Sequence, residues 1–173
     1  MGSDAHSLDR LDLQRAVLKA IPDLVWLKDP DGVYLACNPR FEQLFGAPEA
    51  GIIGRTDHDF VPPELADFFR HHDLAAMRSS TPRINEEVVT FASDGHSELL
   101  QTIKTAVRRP DGSVLGVLGI GRDIGDLRRV EQEYRALFAH NPAPMLVYER
   151  GTLRLLEVNE AFLQLYGYRA DEI

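Results

Sequence analysis

The stretch LACNPRFEQLFG, residues 35–46, returns as LEVNEAFLQLYG at residues 156–167. Leu35, Asn38, Phe41, Leu44, Phe45 and Gly46 fall on Leu156, Asn159, Phe162, Leu165, Tyr166 and Gly167 at a constant offset of 121 residues. A repeat held in one register fixes the organisation of a chain before any fold is assumed. In both copies an Asn precedes apolar residues at helical spacing and a Gly follows the last of them, the start and stop signals of a short helix. In the first copy Pro39 adds the proline favoured at the first helical position. Upstream, Val25-Trp26-Leu27 falls on Leu146-Val147-Tyr148 at the same offset, and downstream Ile52 falls on Ile173, the last residue.

Around the first copy of this stretch the pattern is legible in both directions. Leu24 to Lys28 and Val33 to Cys37 are short apolar runs separated by Asp29-Pro30-Asp31-Gly32, a turn composition, and predict a hairpin. After the short helix comes an acidic loop, and then Pro62-Pro63-Glu64 opens a longer helix. Its apolar face is read as Leu65, Phe68, Phe69, His72 and Ala76, with an end near Ser80 and Pro82. From Ile84 the pattern turns to strands: Ile84 to Phe91, Leu99 to Val107 and Val114 to Ile120, divided by Ser93-Asp94-Gly95 and Arg109-Pro110-Asp111-Gly112. Segregated strands and helices predict an α+β fold, a five-stranded antiparallel sheet with helices packed on one face and room for a cavity between them.

The domain plan that follows has four parts. Residues 1–20 hold a leader, Met1-Gly2-Ser3, and a flanking helix with a stripe of Leu8, Leu11 and Leu18. Residues 21–126 form the complete module and 127–140 a helical connector. Residues 141–173 are the truncated start of a second module, whose apolar residues, such as Phe162 and Tyr166, lack most of a core. The helix beginning at Ile124 carries Leu127, Val130, Tyr134, Leu137 and Phe138 at near-heptad spacing. Such a stripe either seeks a partner helix, giving a homodimer through both flanking helices, or packs back on its own domain.

Composition narrows the function classes. A formal net charge of -8 and a pI near 5.2, with no basic cluster, repel a phosphate backbone, so nucleic acid is not an expected partner. A single cysteine, Cys37, builds no disulfide framework within the chain, which fits a reducing, cytoplasmic setting. The longest apolar run, Val114 to Ile120, falls far short of the roughly 20 residues needed to span a bilayer, so no membrane insertion is expected of this stretch. There is no nucleophile with a positioned base and no metal-ligand spacing, and the expectation is that this stretch is not itself an enzyme. Gly116, Gly119 and Gly121 lie within a strand, where glycine permits close packing or a bulge; they are no phosphate loop.

The strings IPDLVWLKDPDGVYLACNPRFEQLFG, IIGRTDHDF and INEEVVTFASDGHSELLQTIKTAVRRPDGSVLGVLGIGRDIGDLRR, with LLEVNEAFLQLYGY in the partial copy, resemble the PAS sensory domains of bacterial signalling proteins. The family's closing Asp-Ile-Thr element appears as Asp123-Ile124-Gly125. The resemblance implies a pocket for a small-molecule ligand or cofactor under the helices. It also implies an exit helix that relays a conformational change to a C-terminal effector, a histidine kinase or a diguanylate cyclase or phosphodiesterase by family habit. Asp123, Ile124, Leu127 and Val130 are the expected coupling residues, with Asp123 tying sheet to exit helix or simply capping that helix. A dimerisation and relay domain without a ligand is the alternative.

The pocket candidates are Trp26, Asn38, Phe60, Phe68, Phe69, His72 and Lys104. Heme-binding relatives set an axial histidine on the long helix, and His72 shares a face with Leu65, Phe68 and Phe69; their arginine-rich surroundings are not matched, and a satisfied, half-buried histidine is the reading preferred. The reactive cysteine that light-sensing relatives carry after the Gly-Arg step is absent from Gly54-Arg55-Thr56-Asp57-His58-Asp59-Phe60, which excludes a flavin adduct, while noncovalent FAD stays open. The same segment could line the pocket or serve as local turn chemistry, the reading preferred, with Phe60 anchoring the loop. Lys104 sits in an apolar strand: strand alternation puts it on the open sheet face, whereas facing the cavity it would favour an anion, aided by Arg122.

Overall fold

An Asx turn closes the first hairpin: Asp29 Oδ1 accepts from the backbone N–H groups of Asp31 and Val33, both at 2.9 Å, and aligns β1 (Leu24–Lys28) with β2 (Tyr34–Cys37). In this computed structural model, which describes residues 10–172, the chain continues through α2 (Pro39–Phe45), α3 (Glu49–Ile52), a 3-10 turn (Asp57–Asp59) and α4 (Pro63–Arg78). Strands β3 (Arg83–Thr90), β4 (Ser97–Arg108) and β5 (Val114–Asp123) follow, and the sheet order is β2-β1-β5-β4-β3, antiparallel throughout. The fold class is thus α+β, as the sequence predicts. The short helix α3 was not anticipated in the acidic loop. Helix α1 (Arg10–Ala20) precedes the sheet; Leu13 and Val17 are exposed on it and Leu18 is half-buried. Leu8 and the Leu11 side chain, parts of the expected stripe, lie outside the described residues, as does the leader.

Two compact units divide at Ile124 and Gly125. The first holds the core, a cluster that includes Leu24, Trp26, Tyr34, Phe41, Ile52, Phe91 and Leu100. Central to it is Trp26, whose register partner across β1 and β5 is Gly119. A Cβ on Gly119 would lie 2.2 Å from the indole Cε2, so the glycine is what lets the ring lie flat on β5. Gly119→Ala is expected to force the indole off the sheet and to cost about 1–3 kcal/mol by overpacking, read as a lower urea midpoint together with a shifted fluorescence maximum from Trp26.

The second unit comprises α5 (Gly125–Ala139), β6 (Leu146–Tyr148), β7 (Leu155–Val158) and α6 (Glu160–Tyr166). On α5, Leu127, Val130, Tyr134 and Leu137 are 67%, 58%, 52% and 74% exposed, whereas Phe138 is buried. The unit repeats the opening of the first one bond for bond. Asn38 Oδ1 accepts from Val25 N and Phe41 N while its Nδ2 donates to the carbonyls of Ile21 and Asp23. Asn159 Oδ1 accepts from Met145 N and Phe162 N while its Nδ2 donates to Asn141 and Ala143. Gly46 and Gly167 then end the two helices in left-handed conformation, at φ 64° and 76°.

The shared bonds correct one alignment. Asn38 sits 13 residues beyond Val25, but Asn159 sits 14 beyond Met145. The second hairpin turn is one residue longer, and Leu153 absorbs the extra residue at φ 59°. The repeat offset is therefore 121 after the turn and 120 before it, so Trp26, Leu27 and Lys28 correspond to Leu146, Val147 and Tyr148. No described helix is long and apolar enough to cross a membrane.

Candidate functional site

Strand alternation puts Trp26 and Lys28 of β1 on the face of the sheet that the helices cover, and the same face carries Leu100, Thr102 and Lys104 of β4. Lys104 is thus turned inward, opposite to the expectation, and only 2% exposed. The reason lies on α4. Its buried face is Ala66, Asp73, Ala76 and Met77, rotated from the one expected, and Asp73 is 0% exposed. A carboxylate fixed at the centre of that face gives two lysines a partner that solvent would otherwise have to supply.

The resulting network links five elements: β1, β2, the 3-10 turn, α4 and β4. Lys28 Nζ donates to Asp57 Oδ2 at 2.5 Å and to Asp73 Oδ2 at 2.9 Å. Lys104 Nζ lies 2.6 Å from Asp73 Oδ1, too oblique for a directed hydrogen bond, and donates to the Phe69 carbonyl at 3.2 Å. Tyr34 donates its hydroxyl to Asp57 Oδ1 at 2.6 Å, and its ring lies 4.8 Å from the Lys28 ammonium. Burial alone would raise the Asp73 pKa, but the positive charges of Lys28 and Lys104 more than offset it and leave the pKa lowered. Burial, then the Asp57 charge, raises the Tyr34 pKa well above its ordinary value, so the hydroxyl stays protonated and donating.

A cavity of about 20 Å³ opens beside the network, lined by Trp26, Lys28, Tyr34, Phe41, Phe45, Asp57, Phe69, Glu87 and Lys104. That is room for a water molecule or little more. Two buried polar atoms of residues that line it, Trp26 Nε1 and Glu87 Oε2, find no hydrogen-bond partner on the protein among the described residues. The other Glu87 oxygen accepts from Thr102 Oγ1 at 2.7 Å.

Of the residues singled out from the sequence, Trp26, Phe69 and Lys104 border this cavity. The others do not. Asn38 is buried with both ends of its amide spent on backbone, so it is a staple of the fold and has nothing to offer a ligand. Phe60 stacks on Phe45 with ring centroids 4.4 Å apart, outside the lining, and Phe68 is 41% exposed. His72 packs on Phe68 at 4.5 Å and does not reach the cavity; burial and then the Lys104 charge lower its pKa. His72 thus does not face the cavity, and a cavity this small has no room for a flavin ring system without displacement of its walls.

Arg122 belongs to the surface, paired with Asp23 through Nε at 3.0 Å and Nη2 at 2.9 Å, and adds nothing to the cavity. The Thr56–Asp59 segment is half turn chemistry, with Asp59 Oδ2 accepting from Thr56 N at 2.8 Å, and half site, through Asp57. Sequence reasoning missed Lys28, Tyr34, Asp73 and Glu87, and offered Asp57 only within a segment whose turn reading was preferred over pocket lining. One signal was available: Lys28 has the parity of Leu24 and Trp26 in a strand whose other end is buried. Cys37 is buried, and burial followed by Glu49 and Glu42 pushes its thiol up to about 12, so it carries almost no thiolate at neutral pH.

At the exit, Asp123 is the last residue of β5 and Ile124 stands between it and α5, so Asp123 does not directly precede the helix. Ile124 is buried and its N–H donates to the Leu99 carbonyl at 2.9 Å, which pins the joint to β4.

A sheet of this order with helices over one face, a cavity between them and an exit strand running into a helix defines a PAS module, and the chain belongs to that family. The family model described as PAS fold matches residues 18–129, and one described as PAS domain matches residues 132–173. Among relatives, the methanogenesis regulatory histidine kinase FilI of Methanothrix harundinacea is 31% identical over 119 residues, covering 69% of this chain and 13% of the kinase. A diguanylate cyclase of Vibrio cholerae is 26% identical over 125 residues, 72% of this chain and 39% of the cyclase. The chain thus spans well under half of each of these proteins. Among solved structures, the phage VqmA–DPO complex superposes with a TM-score of 0.61 at 25% identity, over 75% of this chain and 60% of that one. The chain is a PAS sensory module of the kind found in signalling proteins.

Proposed function

We propose that the first unit binds a small molecule in the cavity beside Lys28, Asp73 and Lys104 and relays the change through Ile124 and α5 to an effector domain in a cytoplasmic signalling protein. The observation that carries this reading is a buried polar network next to a cavity, two of whose lining residues carry a buried polar atom without a partner among the described residues. Asp73 bridges β1 and β4 from α4, so a ligand that alters this bridge alters how helix and sheet sit together. A ligand acts only by favouring one of the two arrangements, as a population shift requires. The relatives supply the effector class, a histidine kinase or a diguanylate cyclase, and the similar phage protein, solved as a complex with DPO, supplies the precedent of a bound partner molecule. Residues 141–173 are read as the first part of a second copy, on the strength of the shared asparagine bonds. The test is a metabolite screen read by thermal shift: a saturable rise that Trp26→Phe weakens supports ligand sensing, and a complete screen without a hit refutes it.

The small cavity and the exposed α5 stripe favour a second reading, a dimerising relay without a ligand. Leu127, Val130, Tyr134 and Leu137 occupy a/d positions of a heptad, flanked by the ion pairs Arg128–Glu131 and Arg135–Glu131. Sedimentation equilibrium is expected to give a concentration-dependent dimer that the double change Leu127→Glu, Leu137→Glu dissociates; a strict monomer removes this reading.

A further inference from the structure

The charge balance of the cavity indicates what it accepts, and this inference rests on the ligand-sensing reading above. Two ammonium groups, on Lys28 and Lys104, would on their own invite a carboxylate or a phosphate. Both are already matched, Lys28 by Asp57 and Asp73 and Lys104 by the other oxygen of Asp73. Glu87 adds a third carboxylate to the same wall. An anion entering here would meet three carboxylates, Asp57, Asp73 and Glu87, against two lysines whose charge Asp57 and Asp73 already balance. What the lining residues leave unpartnered is of another kind: one neutral donor, the Trp26 N–H, and one acceptor, Glu87 Oε2; Asp73 Oδ1, which also lacks a directed bond, belongs to a residue outside the lining and faces Lys104. The indole is 7% exposed and held flat against β5 by the absence of a side chain on Gly119, so the direction of its N–H is set in advance. Around these atoms the wall is aromatic, from Tyr34, Phe41, Phe45 and Phe69.

We infer that the cavity takes an uncharged molecule that carries a hydrogen-bond acceptor for Trp26 Nε1 and a donor for Glu87 Oε2, and that it rejects small carboxylates and phosphates. Anything larger than a water must also push the aromatic wall outward, which weakens every guest. A matched pair of guests cancels that cost.

The experiment therefore compares acetamide with acetate and benzamide with benzoate on the full chain. The chain contains one tryptophan, so fluorescence excited at 295 nm reports on the cavity wall itself; saturation-transfer NMR supplies a second readout. Each amide is expected to bind at least about tenfold more tightly than its acid, because the acid lacks the donor and brings an unmatched charge. Trp26→Phe, followed by NMR, is expected to weaken the amide about fivefold, the worth of one hydrogen bond. Glu87→Gln, which lowers the negative charge and keeps the shape, is expected to narrow the gap between amide and acid. An acid that binds as tightly as its amide overturns the inference and leaves the ligand-sensing reading in force. If neither member of either pair binds the wild type or Glu87→Gln, while the metabolite screen yields a hit that is an anion, the inference again fails alone; silence in both experiments removes the two readings together.

Discussion

Asp73→Ala is expected to be the most damaging single substitution in the first unit, lowering its stability by about 3–5 kcal/mol, because truncation leaves two buried ammonium groups facing each other across the gap. Lys28 keeps Asp57, but Lys104 keeps only the Phe69 carbonyl. Unfolding in urea, followed by circular dichroism, gives the size of the loss. A double change, Asp73→Leu with Lys104→Met, is expected to recover part of it, since replacing a buried ion pair with apolar groups of similar volume is often near neutral. The pH dependence carries the same signature. With its pKa lowered below the ordinary 3.8 in the folded state, Asp73 contributes stability that is fully present above that value and is lost as the pH falls through the folded pKa. The wild type should therefore lose stability steeply below about pH 4, and the Asp73→Ala variant less steeply. A variant as stable as the wild type at pH 7 would mean the lysines have found other partners.

Asn38→Ala is expected to follow closely, at about 3–5 kcal/mol, since it strips partners from two backbone N–H groups and two carbonyls at once. The buried pair, Val25 N and Phe41 N, bears most of the cost. Asn38→Asp separates the two halves of the staple: the accepting oxygen survives, but a second oxygen replaces the Nδ2 that donates to Ile21 and Asp23. That variant should fall between wild type and alanine at low pH, where the carboxyl can donate, and approach alanine at neutral pH. Asn159→Ala provides an internal control, since it removes the matching bonds from the second unit. If Asn38→Ala and the wild type share a urea midpoint, the staple contributes nothing and the four bonds are incidental.

Much of the fold can be read from the chain because its elements obey the usual coupling of polarity to exposure. The turns Asp29–Gly32 and Arg109–Gly112, the Asn38 start and Gly46 stop of α2 and the alternation of β4 all point to the observed fold. The site is hidden for the opposite reason: its key residues are charged and buried. On α4 an apolar count selects Leu65, Phe68, Phe69 and His72, because Asp73 counts as polar and is discarded. Keeping Asp73 in the count turns the face to Ala66, Phe69, Asp73, Ala76 and Met77, which is the helical spacing the structure has. Lys104 was assigned outward by the same rule. Only the position of its partner, 31 residues earlier and on another element, reverses the assignment, and no local pattern carries that information.

The longer turn in the second hairpin changes what can be transplanted between the two copies. A chimera spliced at one constant spacing would shift β6 by a residue and reverse the faces of its side chains, burying Val147 where the first copy has Trp26. Cut instead at the two asparagines, with the turn moved as a block, the copies become interchangeable cassettes. Positions 146, 148 and 155 would then have to become Trp, Lys and Tyr before the grafted strands could carry the first copy's half of the charge network.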